Sequence, residues 1–202
     1  VDSYGRLFIV SATSIEGIIV MSDMGDFYGY IGAQKVSISA WDAFWREIRP
    51  ESAVGDEFVS TEYNNITIDD ENFLYVTTNS IDEAAQQNAI MGKDKGGTLA
   101  PVKKLNASGT DVMTRNGFYP PSGEVKVQNK YQVAEGEMHG PSKIVDVALG
   151  PEETWSIIDQ KRSKVYTYDV EGELLFIFGD VGSQKGMVES VESITYQRDK
   201  IL

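Results

Sequence analysis

Short runs of apolar and β-branched residues dominate the hydrophobic pattern of this chain. Each run spans only a few residues and ends at a cluster of glycine, proline or small polar residues, as around Ile18–Met21 and Val165–Tyr168. Runs of this length, bounded by turn-forming residues, are typical of β-strands, whereas an amphipathic helix needs a longer run with a period of 3.6. The pattern therefore predicts an all-β chain built from many short antiparallel strands.

One strand–turn–strand unit occurs twice without a gap. The segment from Ile18 to Gly32 matches the segment from Val165 to Gly179 position by position, and a weaker copy begins at Val102. Three residues before the first glycine of each turn stands a small polar residue, namely Ser22, Asn106 or Asp169. Such a side chain caps the turn and the glycine accepts a positive φ, so each copy predicts a β-hairpin.

A second repeated unit comes before the hairpins. It consists of two short strands joined by a polar turn, at 65–69 with 73–77, 144–149 with 154–158, and 193–196 with 200–202. At the start of the chain, 2–5 leads directly into Arg6–Val10, so the first unit lacks its opening strand. Four consecutive strands, ordered from the inside outwards, form one blade of a β-propeller. We therefore predict a β-propeller fragment of about three four-stranded blades and the start of a fourth.

These units divide the whole chain. The predicted parts are blade 1 at about 1–32, an insertion at 33–64, blade 2 at about 65–116 with an internal loop at 79–100, an insertion at 117–143, blade 3 at about 144–179, and the start of the next blade at 192–202. A ring usually takes about six blades or more, and an open fragment exposes unpaired strand edges. We expect a longer parent chain or association of two copies.

The repeat resembles the NHL family of propellers, which combine an apolar inner strand, Asp-x-x-Gly, a Tyr-Val strand and a hairpin ending in Phe-Gly. Lys164 to Gly179 matches the last part of that repeat and Asp70 to Val76 the middle part, whereas Trp155 to Ile157 departs from it. The resemblance implies a six-bladed propeller of a bacterial protein, placed outside the cell or in the cell envelope rather than in the cytoplasm.

The three long segments, 33–64, 79–100 and 116–143, all join strands at one face of the predicted propeller, and the tight turns lie at the other. Long loops gathered on one face are typical of a binding surface. The first segment also contains a predicted helix at 40–48, capped by Ser39, with an aromatic stripe that includes Trp41 and Trp45. That stripe either docks the helix onto the blades or binds a carbohydrate or protein partner.

The candidate ligand-binding residues on this face are Trp41, Trp45, Tyr63, Asn64, His139 and Asp146. His139 is the only histidine of the chain, so this piece cannot build a multi-histidine metal site or a histidine-based triad without a second contributor. We predict no catalytic residue.

The segment from Tyr63 to Val76 is also similar to the gluconolactonase group of six-bladed propellers. That resemblance implies that Asn64 binds a divalent metal, calcium, which acts as a Lewis acid on a lactone carbonyl. However, Val145 stands where the next blade would supply an Asp, and Asp146 lies one residue away. A slip of one residue turns a strand side chain to the opposite face.

Composition narrows the functions further. The chain has 202 residues, 18 basic and 31 acidic side chains, a net charge of −13 and no cysteine. The charge excludes nucleic acid as the main partner, and the missing thiols exclude disulfides, thiolate zinc sites and cysteine nucleophiles. No apolar run approaches the roughly 20 residues of a membrane helix. We predict a noncatalytic recognition or scaffold module for a glycan or protein, without a cofactor; the alternative is a calcium-dependent lactonase or hydrolase.

Overall fold

The computed structural model describes residues 1–11, 17–32, 63–78, 100–115, 142–197 and 200–201. Regular structure in these ranges consists of β-strands and one 3-10 turn at Pro151–Glu153, which confirms the predicted all-β fold. The helix predicted at 40–48 lies outside the described residues. Trp41, Trp45 and His139 lie outside them as well.

The strands are short, as the hydrophobic runs predicted. In chain order they are β1 (Leu7–Ile9), β2 (Ile18–Met21), β3 (Phe27–Ile31), β4 (Tyr63–Ile68), β5 (Leu74–Thr78), β6 (Val102–Leu105), β7 (Ile144–Leu149), β8 (Trp155–Asp159), β9 (Lys164–Tyr168), β10 (Leu174–Phe178), β11 (Tyr196–Gln197) and β12 (Lys200–Ile201). They form three antiparallel sheets, β1-β2-β3, β4-β5-β6 and β7-β8-β9-β10, and the pair β11-β12. Each strand pairs with its neighbour in the sequence.

The sheets pack face to face in the order in which the chain makes them. The core between the first and second sheets contains Ile18, Tyr63, Leu74, Val76 and Leu105. The core between the second and third sheets contains Tyr75, Val102, Ile144, Val147, Trp155, Ile157, Tyr166 and Tyr168. A smaller core joins the third sheet to the last strand pair through Ala148, Ile158, Val165 and Ile194. Alternate residues of one strand therefore enter two different cores, so both faces of the middle sheet are buried.

The tight turns share one hydrogen-bonding pattern. At the turn after β9, the amide of Asp169 donates to the carbonyl of Glu173 at 3.1 Å, and Asp169 Oδ1 accepts from the amides of Glu171 and Glu173. The same carboxylate or amide capping is found at Asp2, Asp69 and Asn106, and Ser22 uses its hydroxyl. The predicted turns are thus confirmed, with the polar residue in the capping role expected from the sequence.

These turns gather at one end of the sheets, which we call the turn end. Since neighbouring strands are antiparallel, the turns after β4 and β6 lie at the same end of the second sheet, and those after β7 and β9 at the same end of the third. The turns of the first and second sheets also touch, because Asn72 Oδ1 accepts hydrogen bonds from both the amide and the hydroxyl of Ser3, each at 3.0 Å.

Asn72 occupies a position that is glycine in the other capped turns. Its φ is 69°, close to the φ of 79° at Gly172 and 76° at Gly109. Asparagine enters this left-handed region more readily than most residues. Here its side chain also links two sheets, a role that glycine cannot fill.

Replacing Asn72 with alanine is expected to lower the free energy of unfolding by about 1–2 kcal/mol, because alanine is strained at this φ and lacks the acceptor for Ser3. Asn72→Gly is the matched control: it relieves the strain and loses only the hydrogen bonds, so its loss should be smaller. Urea unfolding followed by circular dichroism measures both variants. An Asn72→Ala variant as stable as the parent would contradict the proposed role.

Candidate ligand-binding end of the sheets

Five of the six junctions between the long segments and the described residues lie at the end opposite the turns, which we call the segment end. Tyr63 begins β4 and pairs with Thr78 at the end of β5, and Ile144 begins β7 and pairs with Asp159 at the end of β8. The chain leaves or re-enters the described structure at this end at Gly32, Tyr63, Thr78, Ala100 and Ser142. Arg115, by contrast, lies at the turn end, where it and Thr114 contact Gly172 in the turn after β9. Both attachment points of 33–62 and of 79–99 and the point where the chain returns from 116–141 therefore lie together, as the sequence predicted, whereas 116–141 begins at the turn end.

Asn64 lies in a bulge of β4, between the paired residues Tyr63 and Asn65. Its Nδ2 donates to the carbonyl oxygen of Ile144 at 2.7 Å, and its Oδ1 accepts from the Thr77 hydroxyl at 2.6 Å. The side chain thus joins the start of β4 to the start of β7 in the next sheet. Both polar atoms of the predicted metal ligand make protein hydrogen bonds, although the residue itself is exposed.

Tyr63 points into the core between the first and second sheets. It is 6% exposed, and its hydroxyl donates to the carbonyl oxygen of Gly32 at 3.0 Å. Burial, with a smaller contribution from the charge of Asp111, raises the pKa of Tyr63 to about 12. Its hydroxyl remains protonated at neutral pH and acts as a structural donor that closes the junction between β3 and β4.

The pairing of β7 with β8 shows which of Val145 and Asp146 corresponds to Asn64. β7 contains the same bulge as β4, between Ile144 and Asp146, so Val145 occupies the position of Asn64 and Asp146 that of Asn65. This confirms that Asp146 lies one residue from the position of Asn64. Val145 packs at the edge of the small core that contains Ile194. An apolar side chain, Val145, therefore lies at the position where the gluconolactonase resemblance implies an Asp as a second metal ligand.

Asp146 is buried and serves as an anchor. Its Oδ2 accepts from the amide of Ile194 at 2.7 Å and its Oδ1 from the amide of Val147 at 2.8 Å. Burial raises the pKa of Asp146 above its usual value of 3.8, and the two hydrogen bonds only partly oppose this shift. The carboxylate thus holds the segment before β11 against the third sheet.

The raised pKa of Asp146 predicts a pH dependence with a definite sign. The folded protein holds this proton more tightly than the unfolded chain, so the contribution of Asp146 to stability is lost as pH rises from about 3.8 through the raised value. The difference in unfolding free energy between Asp146→Asn and the parent should therefore shift in favour of the variant as pH rises. Urea unfolding at pH 4 and pH 7 measures it; Asp70→Asn, in an exposed turn, is the control. A shift of the opposite sign would contradict the assignment.

The buried ion pair between Asp159 and Arg162, at the segment end, was not predicted from the sequence. Arg162 Nη1 donates to Asp159 Oδ2 and to the Ser142 hydroxyl, both at 2.9 Å. Asp159 Oδ1 accepts from the amides of Lys143 and Lys161, both at 3.1 Å. The available signal was an Asp three residues before an Arg in the β8–β9 turn, a spacing too common to identify a buried pair. The pair positions the chain where it returns from 116–141.

Within the described ranges, no group of three or more His, Asp or Glu side chains is arranged to hold a metal ion. Among the same residues, no helix is long and apolar enough to cross a membrane. Calcium binding by Asn64 thus stays a prediction, with one amide oxygen, already hydrogen-bonded to Thr77, as its ligand in the described part.

Asn64→Ala is expected to lower the free energy of unfolding by about 1–3 kcal/mol, since it leaves the carbonyl of Ile144 and the hydroxyl of Thr77 without this partner. If Asn64 is structural, the loss should be the same with calcium chloride or with EDTA. A calcium-induced rise in melting temperature in the parent that disappears in Asn64→Ala would instead support the calcium site. Asn65→Ala, at the next position of the strand, is the control.

We compared the sequence with models of known protein families and with characterised proteins, and neither comparison gave a match.

Proposed function

We propose that this chain is part of an NHL-like β-propeller and serves as a noncatalytic recognition module. Its segment end binds a protein or glycan ligand, outside the cell or at the cell envelope of a bacterium. The fold part of this proposal draws on the way in which the sheets follow one another, and the functional part draws on what lies at the segment end.

The order of the sheets supports the propeller. Successive sheets pack through buried apolar faces, and the first strands of the second and third sheets, β4 and β7, are in contact. The hydrogen bond from Asn64 to the carbonyl of Ile144 aligns the starts of these two strands, so they run in the same direction. Inner strands that run side by side and sheets that extend outwards from them are the arrangement of propeller blades.

One observation carries the functional proposal: five of the six attachment points of the three long segments lie at one end, and the polar residues described there are engaged in holding the fold. Tyr63, Asn64, Asp146 and Asp159 each bond to main-chain groups of a neighbouring element. A general acid or base needs a proton within reach of substrate, and these groups face protein atoms. Rigid strands that present long segments are typical of recognition surfaces.

The net negative charge of the chain limits the kinds of ligand that it can bind. At −13 the protein repels polyanions and favours neutral glycans or basic proteins. We therefore expect the ligand to be bound through aromatic and hydrogen-bonding groups of the segments, in which Trp41 and Trp45 are the sequence candidates.

A glycan array carrying neutral bacterial and host surface polysaccharides tests this function, with binding of selected hits measured by calorimetry. Trp41→Ala and Trp45→Ala are expected to weaken binding at least about tenfold, because aromatic anchors dominate such sites. Asp70→Ala and Glu71→Ala, at the turn end, should leave it unchanged. Binding that is lost in the turn-end variants and kept in the tryptophan variants would overturn the proposal. Calcium-dependent hydrolysis of gluconolactone above the spontaneous rate would overturn its noncatalytic part.

A further inference from the structure

One position of the repeated unit carries an exposed apolar side chain in all three sheets. Tyr28 in the first sheet, Val112 after β6 in the second and Leu175 in the third correspond to one another in the repeat. Their exposed fractions are 62%, 43% and 50%. A single exposed apolar residue is ordinary on a protein surface, but the same position exposed in three successive units is a property of the unit. We call these three residues the outer row.

A β-bulge in the outermost strand presents this side chain in the first and third sheets. In β3 the extra residue of the bulge is Tyr28, between the paired residues Phe27 and Gly29. In β10 it is Leu175, where the pairing with β9 shifts in the same way. A bulge adds a residue without a partner in the neighbouring strand and re-aims its side chain. The outer row therefore results from a local feature that the repeat preserves.

The second sheet has the same geometry in the stretch that follows β6. Asp111 forms a bridge to Leu105, as the first residue of β10 does to the last residue of β9. The amide of the next residue, Val112, donates to the carbonyl oxygen of Lys104 at 2.8 Å. Val112 is thus held in the place that Leu175 occupies in the third sheet.

The exposure of this position persists when another sheet packs beside it. The second sheet packs on the first, and the third packs on the second, through buried apolar cores. Tyr28 and Val112 are exposed although these neighbours are present. Leu175 is the equivalent residue of the third sheet, on which the last strand pair packs. The packing of successive sheets therefore leaves the outer row accessible.

Val112 and Leu175 belong to one continuous strip of surface. Gly172, in the turn before β10, touches the chain that follows Val112. A Cβ added at Gly172 would lie 2.3 Å from the carbonyl oxygen of Thr114 and 3.1 Å from Arg115 Cα, so glycine alone fits this contact. The stretch that contains Val112 leads directly to the turn that leads to Leu175.

The surface around the outer row is acidic as well as apolar. The segments 22–28, 106–112 and 169–175 contain six acidic residues and no lysine or arginine. The exposed acidic residues among them are Asp23, Asp26, Glu171 and Glu173. Further exposed apolar side chains in the same segments are those of Met24, Phe27 and Val170. Two such surfaces repel each other, so the charge favours a basic partner over a second copy of this chain.

We propose that the outer row is a docking surface for a segment of a partner protein that carries both apolar and basic side chains. The apolar side chains of the partner pack on Tyr28, Val112 and Leu175, and its lysine or arginine side chains lie beside the carboxylates of the turns. The outer row follows the capped turns, at the other end of the sheets from the segment end. It therefore adds a second site to the function proposed above.

Fluorescence anisotropy with a labelled synthetic peptide tests this surface on the whole chain. The probe repeats Leu-Ser-Lys-Ser over about 16 residues, roughly 50 Å when extended. A control peptide has serine in place of each leucine and therefore the same charge. The parent should bind the probe at least about tenfold more tightly than the control peptide, because only the probe buries apolar side chains. Absence of binding by the probe, or equal binding of both peptides, would overturn the proposal.

Matched variants show where the probe binds. The triple variant Tyr28→Ser, Val112→Ser, Leu175→Ser should bind the probe at least about tenfold more weakly than the parent. Val181→Ser, Met187→Ser removes exposed apolar side chains from the loop after β10 and should leave binding unchanged. Unchanged circular dichroism shows that the variants fold. Equal losses in the two sets would overturn the outer row as the site, whereas glycan binding kept by the triple variant leaves the recognition function of the segment end standing.

Discussion

Replacing Asp159 with alanine is expected to lower the free energy of unfolding by about 3–5 kcal/mol, because it removes the carboxylate of a buried ion pair. Asp159 is fully buried and Arg162 is 5% exposed. The carboxylate also accepts hydrogen bonds from the amides of Lys143 and Lys161, so the variant removes these two hydrogen bonds as well. Urea unfolding followed by far-ultraviolet circular dichroism measures the loss.

A partly exposed ion pair provides the matched control for Asp159. Arg115 Nη2 lies 2.7 Å from Asp111 Oδ2, and both side chains retain some exposure. Because water partly replaces the lost partner there, Asp111→Ala should cost clearly less than Asp159→Ala. Equal losses in the two variants would show that burial does not determine the cost of the Asp159 change. Asp159→Asn, which keeps one acceptor oxygen, should fall between alanine and the parent.

Replacing Trp155 with alanine should have an effect of similar size, about 3–5 kcal/mol, because it opens a large cavity in the core between the second and third sheets. Trp155 is 2% exposed and stacks on Tyr168, with ring centroids 4.3 Å apart and planes 13° apart. Its Nε1 donates to the carbonyl oxygen of Asp169 at 2.9 Å, which ties β8 to the turn that follows β9. The variant therefore loses packing and a hydrogen bond together.

Trp155→Phe separates these two contributions. Phenylalanine keeps an aromatic ring against Tyr168 but cannot donate to Asp169, so its loss should be smaller than that of alanine and still measurable. Phe27→Ala, at a position that is 56% exposed, is the surface control and should change stability little. Circular dichroism is preferred to fluorescence, since the first variant removes one of three tryptophans. A loss below 1 kcal/mol for Trp155→Ala would contradict the packing described here.

The strands and turns could be predicted from the sequence because they depend on interactions between residues that are close along the chain. A capping side chain such as Asp169 and a glycine such as Gly172 act within five residues, so the pattern that predicts the turn is complete in the local sequence. The same holds for the repeat, in which Val165 corresponds to Ile18 because both enter equivalent cores. The all-β fold and the order of the units follow from such local patterns, whereas the start of 116–141 lies at the turn end, against the prediction.

The roles of the candidate site residues could not be predicted in the same way, because these residues bond to partners that are distant in the sequence. Asn64 looked like a metal ligand by resemblance, and its amide binds Ile144, 80 positions away. Tyr63 was a candidate ligand-binding residue, and its hydroxyl instead donates to the carbonyl oxygen of Gly32, 31 positions back in the sequence. Asp146 was weighed as a ligand one residue out of register, and its carboxylate instead fixes the amide of Ile194.

By itself, the sequence determined the strands, the capped turns and the series of similar units, since each depends on residues that are neighbours along the chain. Only the tertiary structure decided which polar groups hold sheets together, as in the bonds of Asn72 to Ser3 and of Asn64 to Ile144. It also decided which apolar faces stay exposed, those of β10 and of the first sheet. The physical reason is that a side chain's partner depends on which sheet packs beside it, and packing joins residues that the sequence separates.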